Sequence, residues 1–428
     1  MKTKMKLRVG VILLILVLIF ISVSCTMDSA TSLDKKIERV EQGLLADQSD
    51  PPWKGMNLAD RMAYHKVPGV SIAVINDYQI EWAKGYGVLE AGKDQPVTTE
   101  TLFQTGSIAK PIVAAAALHY VEAGDLDLDG DVNNKLVSWK IPENEFTAQA
   151  PVTLRRLLSH SAGMTFQGFR GYAQGEAIPN RQQILDGETP ANSPPIRVNF
   201  VPGTQYFYSG GGYMIVEQLL VDVVGKPFDV VMQETVLGPL HMDASTFEYP
   251  LPEKLTPIAA SGHRVDGRVI PGGWHTYPEM GAGGSPWATP SDMARFYIDL
   301  MLTYTGQSEK IISHEMVVEM LTPQIGNRGL GPWINDEGGD LFYFGHPGAN
   351  DGYKSYMVAY PKRGQGLVIM TNSDAGDALY YEILNSVTNE YGWVRDYSIL
   401  YTGIVVILII GVVMFLIWRR KISGKPSV

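Results

Sequence analysis

Cysteine is almost absent from this chain. Its 428 residues include one, Cys25. No internal disulfide can form, and a thiolate metal cage or a Cys-x-x-Cys redox pair is excluded. A folded domain must then be held by its core, which a chain of this length can supply. Positive charge is also in deficit: 35 Lys and Arg stand against 45 Asp and Glu, for a net charge of −10. Lys2, Lys4, Lys6 and Arg8 at one end and Arg419, Arg420, Lys421 and Lys425 at the other are eight cations without an acid, so the stretch between them carries −18. Such an acidic surface does not suit nucleic acid, which needs a basic one. Several catalytic signatures are missing as well. Phe207 stands where a Gly-x-Ser-x-Gly elbow around Ser209 would need glycine. There is no His-Glu-x-x-His and no phosphate-binding Gly-x-x-x-x-Gly-Lys-Ser/Thr, and the eight histidines show no metal-ligand spacing. Asp125-Leu-Asp127-Leu-Asp129-Gly130 imitates the start of a calcium loop, but Leu136 occupies the position of the bidentate Glu. No metal or cofactor is expected.

What the ends do have is long apolar runs. Residues 9–23 follow the basic start and read as an export signal, cleaved or kept as an anchor within residues 1–25. Ser22-Val23-Ser24-Cys25 resembles a bacterial lipoprotein cleavage site. Residues 399–418 contain no charge and precede a basic tail, residues 419–428. Twenty helical residues span about 30 Å, the thickness of bilayer hydrocarbon. The positive-inside rule places the tail in the cytoplasm, so the segment between the two runs is expected outside the cell, attached to the membrane.

Within that segment, Leu33, Ile37, Val40 and Leu44 have helical spacing. Val70–Ile75 and Ile80–Tyr86 read as two strands joined by a turn at Asn76–Gln79. Between about 125 and 300 the pattern is mostly helical: Val152–Leu158, Gln182–Ile184, Met214–Val224, Pro227–Val236 and Ser291–Thr303. Strands return at Leu341–Phe344, Tyr353–Tyr360 and Gly366–Thr371, and Ala378–Tyr391 reads as a last helix. Strands at both ends with helices between do not alternate as βαβ units would. They predict an α+β fold, with one antiparallel sheet built from both chain ends and a helical region inserted.

The stretch with chemical content is Thr105-Gly106-Ser107-Ile108-Ala109-Lys110, followed by the apolar Ile112–Leu118. If Ser107 opens a helix, Lys110 three residues on shares its face. A lysine of lowered pKa can take a serine proton, and a helix N-terminus offers N–H groups to an oxyanion. Alone, Ser-x-x-Lys also describes a capping serine beside a solvated lysine. Two further stretches could supply partners. Tyr206-Phe207-Tyr208-Ser209-Gly210 holds a phenol that can pass protons near an ammonium, and Gly345-His346-Pro347-Gly348-Ala349 places a histidine at a strand end with backbone N–H groups nearby.

Ser107-x-x-Lys110, Tyr208-Ser209-Gly210 and His346-Pro347-Gly348, in that order, resemble the three motifs of the serine β-lactamase and penicillin-binding superfamily. The tyrosine and the His-x-Gly are similar to class C β-lactamases, D-alanyl-D-alanine carboxypeptidases of that type and related esterases. Val67–Val74, Leu157–Met164, Ala282–Ser285 and Ser291–Phe296 resemble further stretches of the family, and the likeness covers roughly residues 35–392. It implies a β-lactamase/transpeptidase-like hydrolase domain at residues 26–393. Ser107 would form the acyl-enzyme, with Lys110 and Tyr208 sharing the proton work, which of them is the base being left open. His346 would polarise the site and meet a substrate carboxylate or the leaving group. The N–H groups of Ser107 and Ala349 would hold the oxyanion, with Gly348 and Gly210 lining the substrate. Two departures weigh against β-lactamase work and toward peptidase or esterase work. Gly210 replaces the asparagine usual in the second motif. His346 replaces lysine in the third, where Pro347 also removes a strand-edge N–H.

The expectation is therefore a membrane-anchored, extracytoplasmic serine hydrolase for D-amino-acid peptides, β-lactams or esters, with peptidoglycan among the candidate substrates. A binding protein of weak activity, sensing wall peptides or acting as a scaffold, is the alternative that Gly210 suggests.

Overall fold

The computed structural model describes residues 29–393 apart from 48, 51–53, 166, 283–285 and 337. Both apolar end runs, the Cys25 motif, the basic tail and part of the Ala282–Ser285 stretch lie outside the described residues. Among those described, no helix is long and apolar enough to cross a membrane. The described chain divides into two compact units, Met56–Leu384 and a smaller one in which residues 29–55 come together with residues 385–393. In the smaller unit helix α1 (Ser29–Gln42) is tied to the chain's far end: Arg39 forms two bonds to Glu390 at 2.6 and 2.7 Å, and Ser386 Oγ donates to Val40 O at 2.8 Å.

The larger unit opens with α2 (Leu58–His65), capped by Asn57. Next come strands β1 (Gly69–Asn76), β2 (Gln79–Gly87) and β3 (Phe103–Gln104), then α3 (Lys110–Glu122) and α4 (Leu154–Leu158). Helices α5 (Arg181–Asp186), α6 (Gly210–Val224) and α7 (Phe228–Met232) complete the first half of the insertion. A short strand β4 (Trp287–Ala288), α8 (Pro290–Tyr304) and α9 (His314–Met320) close it. The chain returns to the sheet with β5 (Trp333–Asn335), β6 (Tyr343–Asn350), β7 (Tyr353–Tyr360) and β8 (Gln365–Thr371), and α10 (Gly376–Tyr391) ends the described chain.

The main sheet is antiparallel with strand order β2-β1-β8-β7-β6-β5, so strands from the two ends of the domain meet at β1 and β8, as the pattern predicts. The hairpin between β1 and β2 is tighter than expected. Asp77 and Tyr78 alone form its loop at φ 50° and 59°, the two left-handed positions of a type I′ turn, whose twist matches the strands. Val70 to Ile75 is buried throughout, which requires cover on both sheet faces. Helix α8 packs across β1 and β8 on one face. On the other, Tyr380 of α10 stacks on Tyr356 of β7. Helix α3 is apolar on all sides and its residues Ile112 to Leu118 are at most 1% exposed, the signature of a core helix.

Two readings of local structure need correction. Ser107 does not open the α-helix. It lies in a 3₁₀ turn, Gly106–Ala109, and Lys110 is the first residue of α3, with Pro111 in the first turn where its missing N–H breaks no ladder. The strand read as Leu341–Phe344 starts later and runs on through His346-Pro347-Gly348, because β7 supplies a full partner out to Asn350. Only Tyr343 to Gly345 of β6 also pair with β5.

The 3₁₀ turn is fastened to this part of the sheet by missing side chains. A Cβ at Gly348 would stand 2.1 Å from Ser355 Oγ and 2.4 Å from Thr105 O, while Ser355 Oγ itself donates to Thr105 O at 2.6 Å. Gly106 has φ +55°, and a Cβ there would meet Ala349 N at 2.5 Å. Gly348→Ala is therefore expected to lower unfolding free energy by about 1–3 kcal/mol, the cost of overpacking, read as a shifted denaturation midpoint with an unchanged slope.

Candidate active site

The turn, the N-terminal approach to α6 and strand β6 converge on one cleft of about 500 Å³. Ser107, Lys110, Tyr208, Gly210 and Ala349 line it together with Gln167, Phe169, Tyr277 and Asn350. Ser107 Oγ sits between two groups. Lys110 Nζ lies 3.0 Å away, and the Tyr208 hydroxyl donates to it at 2.7 Å. Lys110 also donates to Ala282 O. Its ammonium end lies 5.1 Å from the ring centre of Tyr208 and 5.4 Å from that of Tyr213.

Lys110 is 2% exposed, and among the described residues no carboxylate pairs with it. Burial disfavours the charged form and brings its pKa down from 10.5 to about 7. The phenol of Tyr208 moves the other way. Burial raises it above its ordinary value, against smaller opposing effects of the Ser107 hydrogen bond and the Arg328 charge. At neutral pH the pair is thus a partly neutral amine and a fully protonated phenol, flanking one hydroxyl.

The third motif is less exposed than its sequence suggests. His346 is 1% exposed, with Nδ1 on Pro347 O at 2.6 Å and no partner for Nε2. Burial first, then the Lys110 charge, lowers its pKa to about 3, so the ring is neutral. The fixed positive charge nearby belongs to Arg328, a residue the motifs do not reveal. Its guanidinium lies 4.2 Å from the ring centre of Trp333 and 4.5 Å from that of Tyr206, and one terminal nitrogen is buried without a hydrogen-bond partner. His160, from the Leu157–Met164 stretch, backs Tyr208. The ring centres are 4.3 Å apart, and His160 Nδ1 accepts from Ser209 N–H at 3.1 Å.

Gly210 begins α6, behind the Ser209 cap. A Cβ there would lie 3.0 Å from Gln167 O and 3.3 Å from the Phe169 ring. The space of a second-motif side chain is thus narrowed by Gln167 to Phe169, which form that wall of the cleft instead. Among the described residues no cluster of His, Cys, Asp and Glu could hold a metal ion.

A serine between a buried lysine and a tyrosine, on an antiparallel sheet with a helical insertion, defines a serine hydrolase of the class C β-lactamase-like type. The family model described as Beta-lactamase matches residues 56–384, and the chain belongs to that family. It is 25% identical over 347 residues to penicillin-binding protein 4 of Amycolatopsis lactamdurans, covering 77% of this chain and 87% of that one. It is 24% identical to the unguisins hydrolase of Aspergillus violaceofuscus, covering 78% of this chain and 65% of the other. Among solved structures, the octameric penicillin-binding protein homologue from Pyrococcus abyssi matches with TM-score 0.64 and 26% identity, over 78% of this chain and 76% of that one. The D-amino acid amidase from Ochrobactrum anthropi SV3, complexed with L-phenylalanine, matches with TM-score 0.64 over 84% of this chain and 99% of that one. At 21% identity that last likeness is one of fold.

Burial of Lys110 has a cost that can be measured. Its folded pKa of about 7 lies below the unfolded 10.5, so the unfolded chain binds the extra proton between those values. Stability is penalised fully below pH 7, and the penalty is relieved as pH rises toward 10.5. Lys110→Met, of similar volume, is expected to raise unfolding free energy by about 1–4 kcal/mol. The gain should be largest in acid and fade in alkali, measured by denaturant unfolding across pH.

Proposed function

We propose that the protein hydrolyses D-amino-acid peptides or amides and related esters through an acyl-enzyme on Ser107. The observation that carries this is the placement of Ser107 Oγ between Lys110 Nζ and the Tyr208 hydroxyl, at 3.0 and 2.7 Å, inside an open cleft. In this reading Lys110, as a neutral amine, takes the serine proton while Oγ bonds to the substrate carbonyl carbon. The carbonyl oxygen becomes an oxyanion facing the N–H groups of Ser107 and Ala349. Collapse breaks the bond to the leaving group, which receives the Tyr208 proton, and Lys110 returns its proton to the phenol. Water then attacks the acyl carbon and gives a proton to Lys110, and Ser107 Oγ departs with a proton from Tyr208, which Lys110 replaces. The raised phenol pKa and lowered amine pKa favour Lys110 as the base and Tyr208 as the carrier.

A substrate carboxylate would be met by Arg328. His346 is neutral and offers no charge, whereas Arg328 has a buried nitrogen with no hydrogen-bond partner among the described residues and lies over Trp333, a ring that His346 also neighbours. The similarity to a penicillin-binding protein and to an unguisins hydrolase supports a hydrolytic reading, and the fold shared with a D-amino acid amidase is compatible with amide substrates. β-Lactams are a weaker expectation, since no side chain at Gly210 reaches into the cleft and Pro347 lacks an N–H. We further propose that the domain works outside the cell, held to the membrane by the apolar runs at residues 9–23 and 399–418. The charge-free length of the second run and its basic tail support this.

The test is intact mass after incubation with p-nitrophenyl acetate, a D-alanyl-D-alanine peptide and a β-lactam, for the native protein, Ser107→Ala and Arg328→Gln. The reading expects an acyl adduct that Ser107→Ala abolishes. It also expects Arg328→Gln to weaken turnover of the free-carboxylate peptide roughly tenfold, a charge-assisted bond, while sparing the acetate ester. No adduct and no turnover with any reagent would favour a binding protein of the same fold.

A further inference from the structure

Two buried carboxyl groups lie behind the cleft, and neither belongs to the three motifs. Glu217 is on α6, nine residues beyond Tyr208, and is fully buried. Glu279 is fully buried too, and both its oxygens lack a hydrogen-bond partner. Glu217 is held from two sides. Arg181 Nε of α5 donates to Oε1 at 2.7 Å, and the backbone N–H of Gly281 donates to Oε2 at 2.7 Å. The next residue after Gly281 is Ala282, whose carbonyl accepts from Lys110 Nζ. Gly281 itself tolerates nothing larger, because a Cβ would stand 2.7 Å from Glu217 Cβ and 2.7 Å from Tyr213 O.

We infer that Glu217 is a positioning residue for the hydrolytic reaction: it anchors the backbone at Gly281, through the N–H of the Met280–Gly281 peptide, so that the carbonyl of the next residue, Ala282, holds Lys110 Nζ against Ser107. The chain of contacts is continuous. Arg181 orients the Glu217 carboxyl group, that group holds the Gly281 N–H, and the Ala282 carbonyl follows one residue along the same backbone. Without this acceptor the buried amine keeps, among the described residues, only Ser107 Oγ as a hydrogen-bond partner, and its four-carbon stem is less restrained. Helix α6 thus serves the site twice: Tyr208 precedes its cap, and Glu217, in mid-helix, braces the backbone at Gly281. Glu279 bears on the same place through charge. Burial and the neighbouring Glu217 raise its pKa to about 8, so at neutral pH it is a neutral acid; burial also raises Glu217, against the opposing pull of Arg181 and the Gly281 N–H, which favour its charged form.

This inference rests on the acyl-enzyme reading, and its test separates the two. The rate constant of acylation and the half-saturation concentration are measured with p-nitrophenyl acetate by stopped flow, with intact mass on the same samples. Glu217→Met keeps the volume and removes the acceptor. It is expected to slow acylation roughly 10- to 100-fold, the range for sub-ångström to ångström misplacement of a reacting group, with half-saturation unchanged. Glu217→Gln keeps one acceptor oxygen, for Gly281, and loses the one that accepts from Arg181; with the Gly281 bond kept it is expected to acylate about fivefold or more faster than Glu217→Met. Should Glu217→Met fail to fold, Glu217→Asp decides. It keeps the charge near Arg181 but draws the oxygen back by about one C–C bond (about 1.5 Å), and it too should slow acylation without altering half-saturation. Native-rate acylation in the folded Met variant, or in the Asp variant where Met does not fold, overturns the inference. So does a Gln variant as slow as Met, which would make the carboxylate charge and not the clamp decisive. Absence of an adduct in the native protein would instead overturn the acyl-enzyme reading itself, and this inference with it.

Discussion

The site depends on keeping one lysine dry. Lys110 begins a helix that is buried from Lys110 to Leu118, and among the described residues its charged form has no carboxylate to pair with. Water is excluded by the rings of Tyr208 and Tyr213 and by the peptide at Ala282. That exclusion, and no charged neighbour, lowers the amine's pKa to about 7. The same burial raises the phenol of Tyr208. One physical condition therefore moves both groups in useful directions, and Ser107 lies between them. The condition is costly in folding free energy, which the large apolar core around α3 offsets.

Holding that geometry is a matter of backbone approach. The 3₁₀ turn carrying Ser107 meets β6 at Gly106 and Gly348, where no Cβ has room, and Ser355 of β7 locks the turn through Thr105. The sheet that supplies β6 and β7 closes only when β1, near the start of the domain, pairs with β8, near its end. Ser107 is thus set by the first half of the chain and the strand that carries Gly348 and Ala349 by the last quarter. The helical insertion contributes Tyr208 from one side and Ala282 from the other.

The parts legible in the sequence were those with local signals. The β1–β2 hairpin, strands β7 and β8, helices α6 and α8, and the antiparallel sheet shared by both chain ends all follow from apolar period and turn residues. The three motifs also name the side chains that the fold brings around Ser107. The parts not legible depend on distant partners. The short strands β3, β4 and β5 exist only through their pairing, and α9 is a seven-residue helix with too little pattern to stand out. The carbonyl of Ala282 carries no side-chain signal, and Arg328 and Glu217 look in sequence like ordinary surface charges. Arg328 lies between two aromatic rings and Glu217 under a glycine, facts that only three-dimensional contact supplies.

The most direct test of this account is the ionisation of Lys110 in the intact protein, followed by NMR of lysine labelled with ¹³C at Cε, with Lys110→Met assigning the resonance. The account predicts a single resonance, absent from the variant, that titrates near pH 7, far below the 10.5 of an ordinary lysine. A Lys110 resonance that titrates with the other lysines would contradict it, because the amine would then be a solvated ammonium at neutral pH and could not take the proton of Ser107.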